Sequence, residues 1–134
     1  MAILTRRSVL MAAPIAVLLA ALTSPLLAGV QEYEFQLVQN EAKKGDAIVA
    51  VRLINTRTGK PVPDAVISAK RIDMAPDGMA DMAGRIEQLP STEPGVYRFK
   101  ANLSMQGSWQ LSLAAKVQGK VGTVESKLVL RVVP

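Results

Sequence analysis

The sequence predicts an all-β fold, an immunoglobulin-like antiparallel β-sandwich of about seven strands. Segments of alternating or β-branched residues recur roughly every 8–12 residues, and clusters of Gly, Pro, Asn and Asp separate them. Beyond the N-terminal region, no segment has the apolar period of a helix. The chain contains no cysteine, so the Cys…Trp…Cys pattern of antibody domains is absent and the strand order stays open.

Seven segments account for the predicted strands. They are residues 32–38, 46–54, 65–72, 84–89, 96–103, 109–117 and 123–133. Turn-forming residues separate them, most clearly in the Pro-containing and Gly-containing stretches 55–64 and 90–95. Trp109, the single tryptophan, is predicted to lie in the core because so large a side chain gains much from burial. Without an internal repeat, these segments predict one domain.

Residues 1–28 resemble an export signal that precedes a domain of residues 29–134. Arg6 and Arg7 supply a basic start, an apolar run follows, and Ala28 offers a small residue for cleavage. The stretch Thr-Arg-Arg-Ser-Val-Leu at 5–10 is similar in part to a twin-arginine signal. The apolar run of about 20 residues is also long enough to span a bilayer. The sequence therefore predicts a periplasmic protein, with the alternative of an inner-membrane anchor that contacts the membrane only through the N-terminus.

The composition excludes several classes of function. Without histidine or cysteine, the chain cannot build zinc sites, Ser-His triads or His-based acid–base chemistry from its own residues. No spacing of its Lys, Tyr, Ser or carboxylate residues indicates catalysis, so we predict that it is not an enzyme. The net charge of +5 is spread along the chain, and five aromatic residues (one Trp, two Tyr and two Phe) provide no stacking platform. Nucleic-acid binding is therefore not expected.

The most unusual stretch of the chain is residues 73–82. Met74, Met79 and Met82 fall within nine residues of one another, interrupted by a proline and a glycine. The aspartates of this stretch are Asp73, Asp77 and Asp81. Pro and Gly favour turns, and carboxylates favour water or a cation, so the pattern predicts an exposed, methionine-bearing loop between two strands. The aspartate spacing lacks the alternation and terminal Glu of an EF-hand, which disfavours calcium.

Methionine sulfur is a soft, neutral ligand that suits Cu(I) or Ag(I). Met79 and Met82 would lie about 10 Å apart in an extended strand, whereas sulfurs that share one ion must approach to roughly 4–5 Å. A turn at 77–82 would bring them closer. Met105, from another strand, can supply a third sulfur, with Met74 as the other candidate. Alternatively, some of these methionines fill gaps at one end of the core.

Several motifs in order resemble one family. They are the Gly-Lys-Pro-Val turn within 55–65, the methionine segment, Pro-Gly-Val-Tyr-Arg-Phe at 94–99, and Leu-Ser-Met-Gln-Gly-Ser-Trp-Gln-Leu at 103–111. Together they are similar to the YtkA-like domain, grouped with FixH-family proteins, over about residues 36–133. The resemblance implies an immunoglobulin-like sandwich and a role near heavy-metal efflux or copper-oxidase assembly complexes of the membrane. Family members often have a loop richer in Pro and Met than Ala-Pro-Asp-Gly at 75–78.

These observations predict an exported Cu(I)- or Ag(I)-binding accessory domain whose ligands come from Met79, Met82, Met105 and Met74. No cofactor is required, and soft metal is the cargo. The alternative is a metal-free interaction module in which the methionine loop is an apolar contact surface for a periplasmic or membrane complex.

Overall fold

The computed structural model describes residues 32–134, and the predicted signal or anchor segment at 1–28 lies outside them. The described residues form nine β-strands in two sheets and one short 3-10 turn. The strands are β1 (Tyr33–Leu37), β2 (Glu41–Lys43), β3 (Gly45–Asn55), β4 (Val66–Met74), β5 (Met79–Gly84), β6 (Ile86–Leu89), β7 (Val96–Leu103), β8 (Gly107–Lys116) and β9 (Val124–Val133).

The strand order is that of an immunoglobulin-like sandwich. One sheet has the order β1-β3-β7-β6 and the other the order β2-β9-β8-β4-β5. Read along the chain, the first sheet corresponds to the A-B-E-D sheet of immunoglobulin domains, and β4, β8 and β9 correspond to C, F and G. Neighbouring strands are antiparallel except β2, which pairs in parallel with β9. The predicted all-β sandwich is therefore confirmed.

Two strands lie outside the seven predicted segments. β2 has three residues in the polar stretch before Gly45, and β5 has six residues in the methionine segment. Polar, Pro-containing or Gly-containing stretches disfavour strands, so the sequence predicts irregular structure in both. Neighbouring strands override that local preference, since β9 provides a pairing edge for β2 and β4 provides one for β5.

The core lies between the two sheets and follows the alternation of the strands. In β7 and β8, every second residue is buried, which places one face of each strand inward. Trp109 is fully buried, so its predicted core position is confirmed. Phe35, Leu53, Phe99 and Leu111 are at most 2% exposed and pack in the same cluster. Burying each of these side chains contributes roughly 1.5–3 kcal/mol.

Tyr97 fixes the Pro-containing loop at one end of the sandwich. Its buried hydroxyl donates a hydrogen bond to the Val62 carbonyl at 2.6 Å and accepts one from the Ala65 amide at 3.0 Å. Burial raises the pKa of this phenol, the Ala65 amide opposes the shift, and the nearby Asp64 carboxylate adds to it. One side chain thus satisfies two backbone groups of a loop whose prolines have no N–H to donate.

We expect Tyr97→Phe to lower the free energy of unfolding by about 1–3 kcal/mol, because both backbone groups lose a buried partner. The raised pKa adds a pH dependence. Unfolded tyrosine ionises near pH 10 while the folded phenol stays protonated, so wild-type stability falls as pH rises above about 10. Urea titrations at pH 7 and above pH 10 measure both effects. Tyr33→Phe removes the other tyrosine, and an equal loss in that variant would contradict the assigned role of Tyr97.

Candidate functional site

The methionine segment, residues 73–82, consists of the end of strand β4, a short turn and the first part of strand β5. β4 ends at Met74, a 3-10 turn occupies Ala75–Asp77, and β5 begins at Met79. Gly78 closes the turn in the left-handed conformation (φ 75°), and its amide donates to the Ala75 carbonyl. Glycine adopts this conformation without the steric cost that a Cβ imposes. The predicted Pro/Gly turn is confirmed, but the prediction of an exposed loop across the whole segment was wrong.

Met74 and Asp73 are both buried, at 0% and 4% exposure. Met74 continues the inward alternation of Ile72 and belongs to the core cluster. A Cβ built on Gly107 would lie 2.8 Å from the Met74 methyl carbon, so the end of this side chain lies against β8. The expectation that Asp73 is solvated was wrong, because Arg71 and the Ala75 amide both bind its carboxylate.

Met79 lies directly opposite Met74. The two residues are cross-strand partners of β4 and β5, and the next pair is Asp73 with Ala83. The residues between these pairs, Ala80, Asp81 and Met82, form a bulge that has no partner residues in β4. Met79 and Met82 are partly buried and pack against the core cluster. A turn at 77–82 would bring Met79 and Met82 together, but residues 79–84 form a bulged strand.

Met105 lies in the connection between β7 and β8, at the same end of the sandwich as Met74 and Met79. Its carbonyl accepts a hydrogen bond from the Trp109 indole nitrogen at 2.9 Å. Met105 is 39% exposed, whereas Met74 is fully buried. The start of β8, directly after this connection, is bound by Asp77, whose carboxylate accepts a hydrogen bond from the Ser108 amide at 2.9 Å. Asp77 and Trp109 together hold the Met105 connection beside the 3-10 turn.

The structure therefore brings three of the four candidate methionines to one end of the fold. Directly opposed residues in an antiparallel pair have Cβ atoms about 4.5–5.5 Å apart. Flexible methionine side chains at that spacing can bring two sulfurs within the roughly 4–5 Å that one soft ion demands. Met105 is the third thioether at this end, and Met82 lies three residues beyond Met79 in the bulge. We call Met74, Met79, Met82 and Met105 the methionine cluster.

Asp73 and Asp77 of this region have structural partners. Burial alone would raise the pKa of Asp73, but the Ala75 amide, the Arg71 hydrogen bond and the charges of Arg71 and Lys127 hold that pKa below its ordinary value. Arg71 also donates to the Ala80 carbonyl at 2.7 Å, so it links the ion pair to β5. Within residues 32–134, no group of three or more His, Cys, Asp or Glu side chains is placed to hold a metal ion.

We expect Asp73→Asn to lower the free energy of unfolding by about 1–2 kcal/mol at pH 7. The substitution removes the buried carboxylate charge that pairs with Arg71. The loss of stability is small because Arg71 is exposed to solvent. Because the folded pKa is depressed, the stabilisation is present above the unfolded value of about 3.9 and is lost as pH falls through the folded value. Wild type and variant should thus converge in acid. Urea titrations from pH 7 to pH 2 test this, with exposed Asp81→Asn as the matched control.

Sequence reasoning missed Arg71, Gly107 and Ser108 as parts of this site. The position of Met74, two residues after the apolar Ile72, was a usable signal that the strand alternation continues. Contacts such as Asp77 with Ser108, 31 residues apart, leave no local pattern in one sequence. Arg71 resembles any exposed strand cation until the bulge of β5 places the Ala80 carbonyl within its reach.

Comparison with known proteins identifies the family. The sequence profile of the YtkA-like family matches residues 27–114, well over half of the chain. The protein therefore belongs to the YtkA-like family, as the sequence motifs predicted; the further grouping with FixH stays a prediction. The matched range includes Met74, Met79, Met82 and Met105 and ends before β9. No curated protein sequence matches the chain.

Three solved structures with some similarity to the chain are distant from it in sequence. The Lin-41 filamin domain has TM-score 0.47 and 16% identity, covering 76% of this chain and 92% of that one. The ZirS C-terminal domain has TM-score 0.46 and 11% identity, covering 92% and 83%. A conjugative transposon lipoprotein from Bacteroides eggerthii has TM-score 0.34 and 10% identity, covering 74% and 96%.

Among residues 32–134, no helix combines the length and apolar character needed to cross a membrane.

Proposed function

We propose that this protein is a non-catalytic, exported accessory domain that binds Cu(I) or Ag(I) through thioether sulfur. The observation that carries the proposal is the direct pairing of Met74 with Met79, at the end of the sandwich that also holds Met105. Thioether ligands match soft monovalent metals and remain available without deprotonation. Membership of the YtkA-like family supports a setting near heavy-metal efflux or copper-enzyme assembly complexes of the cell envelope.

In this proposal the four methionines have different roles. Met79 is partly buried and Met105 is exposed, so these two sulfurs are the first that an arriving ion meets. Met74 is fully buried in the core and provides the inner sulfur. Met82 is the fourth candidate, from the bulge of β5. The nearby carboxylates of Asp77 and Asp81 give the entrance a negative charge that favours cations.

The test is an anaerobic Cu(I) competition titration of the purified chain against chromophoric chelators of graded strength. Met79→Leu/Met105→Leu roughly conserves volume and removes two sulfurs. We expect wild type to bind stoichiometrically and the double variant to bind at least about 10–100-fold more weakly. Met79→Leu/Met82→Leu and Met74→Leu then rank the remaining ligands. Failure of wild type to compete at any chelator strength, or equal binding by the double variant, would reject the proposal.

A metal-free interaction module is the second candidate. The complete burial of Met74 and the packing of Met79 and Met82 against the core favour it, because methionine also fills irregular core gaps. In this case Met105 would be the adaptable apolar contact for a membrane or periplasmic partner. Leucine at the four methionine positions would then preserve partner binding, whereas a thioether metal site would lose its ligand. The same variants therefore separate the two functions.

A further inference from the structure

The chain's easily oxidised side chains are its thioethers. With no cysteine among the 134 residues, there is no thiol to react first with a two-electron oxidant such as a peroxide. Methionine reacts with such oxidants to form the sulfoxide, which is polar and chiral. Any oxidative modification of this kind is therefore directed to methionine, and the fold decides which methionine it reaches.

The methionine cluster has a steep gradient of exposure. Met74 is 0% exposed, and Met79 and Met82 are partly buried and pack against the core. Met105 is 39% exposed and is the one methionine among the large exposed apolar residues of the described chain. An oxidant in water thus has direct access to the exposed Met105 residue, whereas reaction at Met74 requires the end of the sandwich to open.

The backbone at Met105 is held in place while its side chain is solvent-accessible. The Trp109 indole, itself fully buried, donates to the Met105 carbonyl and anchors the connection to the core. Asp77 fixes the adjoining start of β8 through the Ser108 amide. The exposure of Met105 is therefore a property of an anchored connection between two sheet strands.

We propose that Met105 is the oxidation site of this domain and that it forms the sulfoxide while the rest of the methionine cluster stays reduced. With hydrogen peroxide, the sulfur lone pair attacks one peroxide oxygen, an S–O bond forms and the O–O bond breaks. The proton on the transferred oxygen passes to the departing hydroxide, which leaves as water. Sulfur loses two electrons and peroxide gains them.

The position of Met105 also makes the modification compatible with the fold. A sulfoxide at an exposed site keeps its oxygen in water, so the free energy of unfolding should change by no more than about 0.5 kcal/mol. The same oxygen at Met74 would be buried without a partner, at a cost of about 1–3 kcal/mol. This proposal does not depend on metal binding, since a chain that binds no metal would still be oxidised first at Met105.

The experiment treats the full-length chain with hydrogen peroxide for increasing times and measures oxygen incorporation at each methionine by peptide mass spectrometry. In the folded chain we expect Met105 to react on the order of tenfold faster than Met74, with Met79 and Met82 between them. Met1 and Met11 lie far from the methionine cluster in the sequence, so their peptides are distinct from those of the cluster. Met105→Leu should remove the fast phase of oxygen incorporation and leave the oxidation rates of Met74, Met79 and Met82 unchanged.

A parallel reaction in denaturing urea separates the effect of the fold from local chemistry. There the four rates should converge, because burial no longer distinguishes the sulfurs. Equal or faster oxidation of Met74, Met79 or Met82 in the folded chain would overturn the proposal. Faster oxidation of Met105 that persists in urea would also overturn the proposal, since the difference in rate would then arise from neighbouring residues and not from exposure.

Discussion

Gly107→Ala should destabilise the protein by roughly 2–6 kcal/mol, the sum of a strained backbone and an overpacked contact. Gly107 has φ 139°, a conformation that residues with a Cβ rarely adopt. The added Cβ would lie 2.5 Å from an Asp77 carboxylate oxygen and 2.8 Å from the Met74 methyl carbon. Both contact atoms are side-chain ends, but the Met74 side chain is fully buried and the Asp77 oxygen is bound to the Ser108 amide, so neither can move away freely.

Gly45→Ala is the matched control for this change. Gly45 also has a positive φ, of 110°, but a Cβ there would meet no atom within 4 Å. It carries the backbone strain without the collision, so its cost should stay near the 1–3 kcal/mol of strain alone. Urea unfolding of both variants measures the difference. If Gly107→Ala is no more destabilised than Gly45→Ala, Met74 and Asp77 do not pack tightly against β8.

Trp109→Ala should lower the free energy of unfolding by about 3–5 kcal/mol, the usual cost of emptying a buried aromatic site. Trp109 is fully buried on the inward face of β8, near the start of the strand. The substitution also removes the indole donor from the Met105 carbonyl, so it loosens the connection between β7 and β8. We therefore expect a second effect, faster oxidation of Met79 and Met74 in the variant, because the end of the sandwich opens more often.

Trp109→Phe distinguishes the two effects. Phenylalanine keeps most of the buried apolar volume but cannot donate to the Met105 carbonyl. Trp109→Phe should therefore lower the free energy of unfolding much less than Trp109→Ala. Equilibrium urea unfolding, monitored by circular dichroism because the variants lack the only tryptophan, gives both values. A loss below about 1 kcal/mol in Trp109→Ala would contradict the central place of this side chain in the core.

The periodic parts of the fold could be predicted from sequence. Alternation placed β7 and β8 correctly, and Trp109 was assigned to the core from its size alone. Because strand alternation arises from local backbone geometry, one sequence carries enough information to detect it. The same reasoning located the turn at Pro76 and Gly78, where side-chain chemistry restricts φ directly.

The sequence did not reveal which residues of the methionine segment face the core. Asp73 was read as a solvated carboxylate because buried aspartate is rare, and only the neighbouring Arg71 and the Ala75 amide make its burial possible. Met79 was read as a loop residue, since the edge of β4 that recruits it into β5 is a tertiary feature. Residue types suggested thioether chemistry, whereas the pairing of Met74 with Met79 required the fold.

The bulge in β5 affects how this domain meets other chains. The edge strands are β1 and β6 in one sheet and β2 and β5 in the other. β2 has three residues, β6 has four, and the pairing of β5 with β4 is interrupted between Met79 and Ala83. Short or irregular edges are poor templates for the backbone ladder through which β-proteins aggregate. Recognition of this domain is therefore expected to depend on side chains at the ends and faces of the sandwich, with little contribution from added strands.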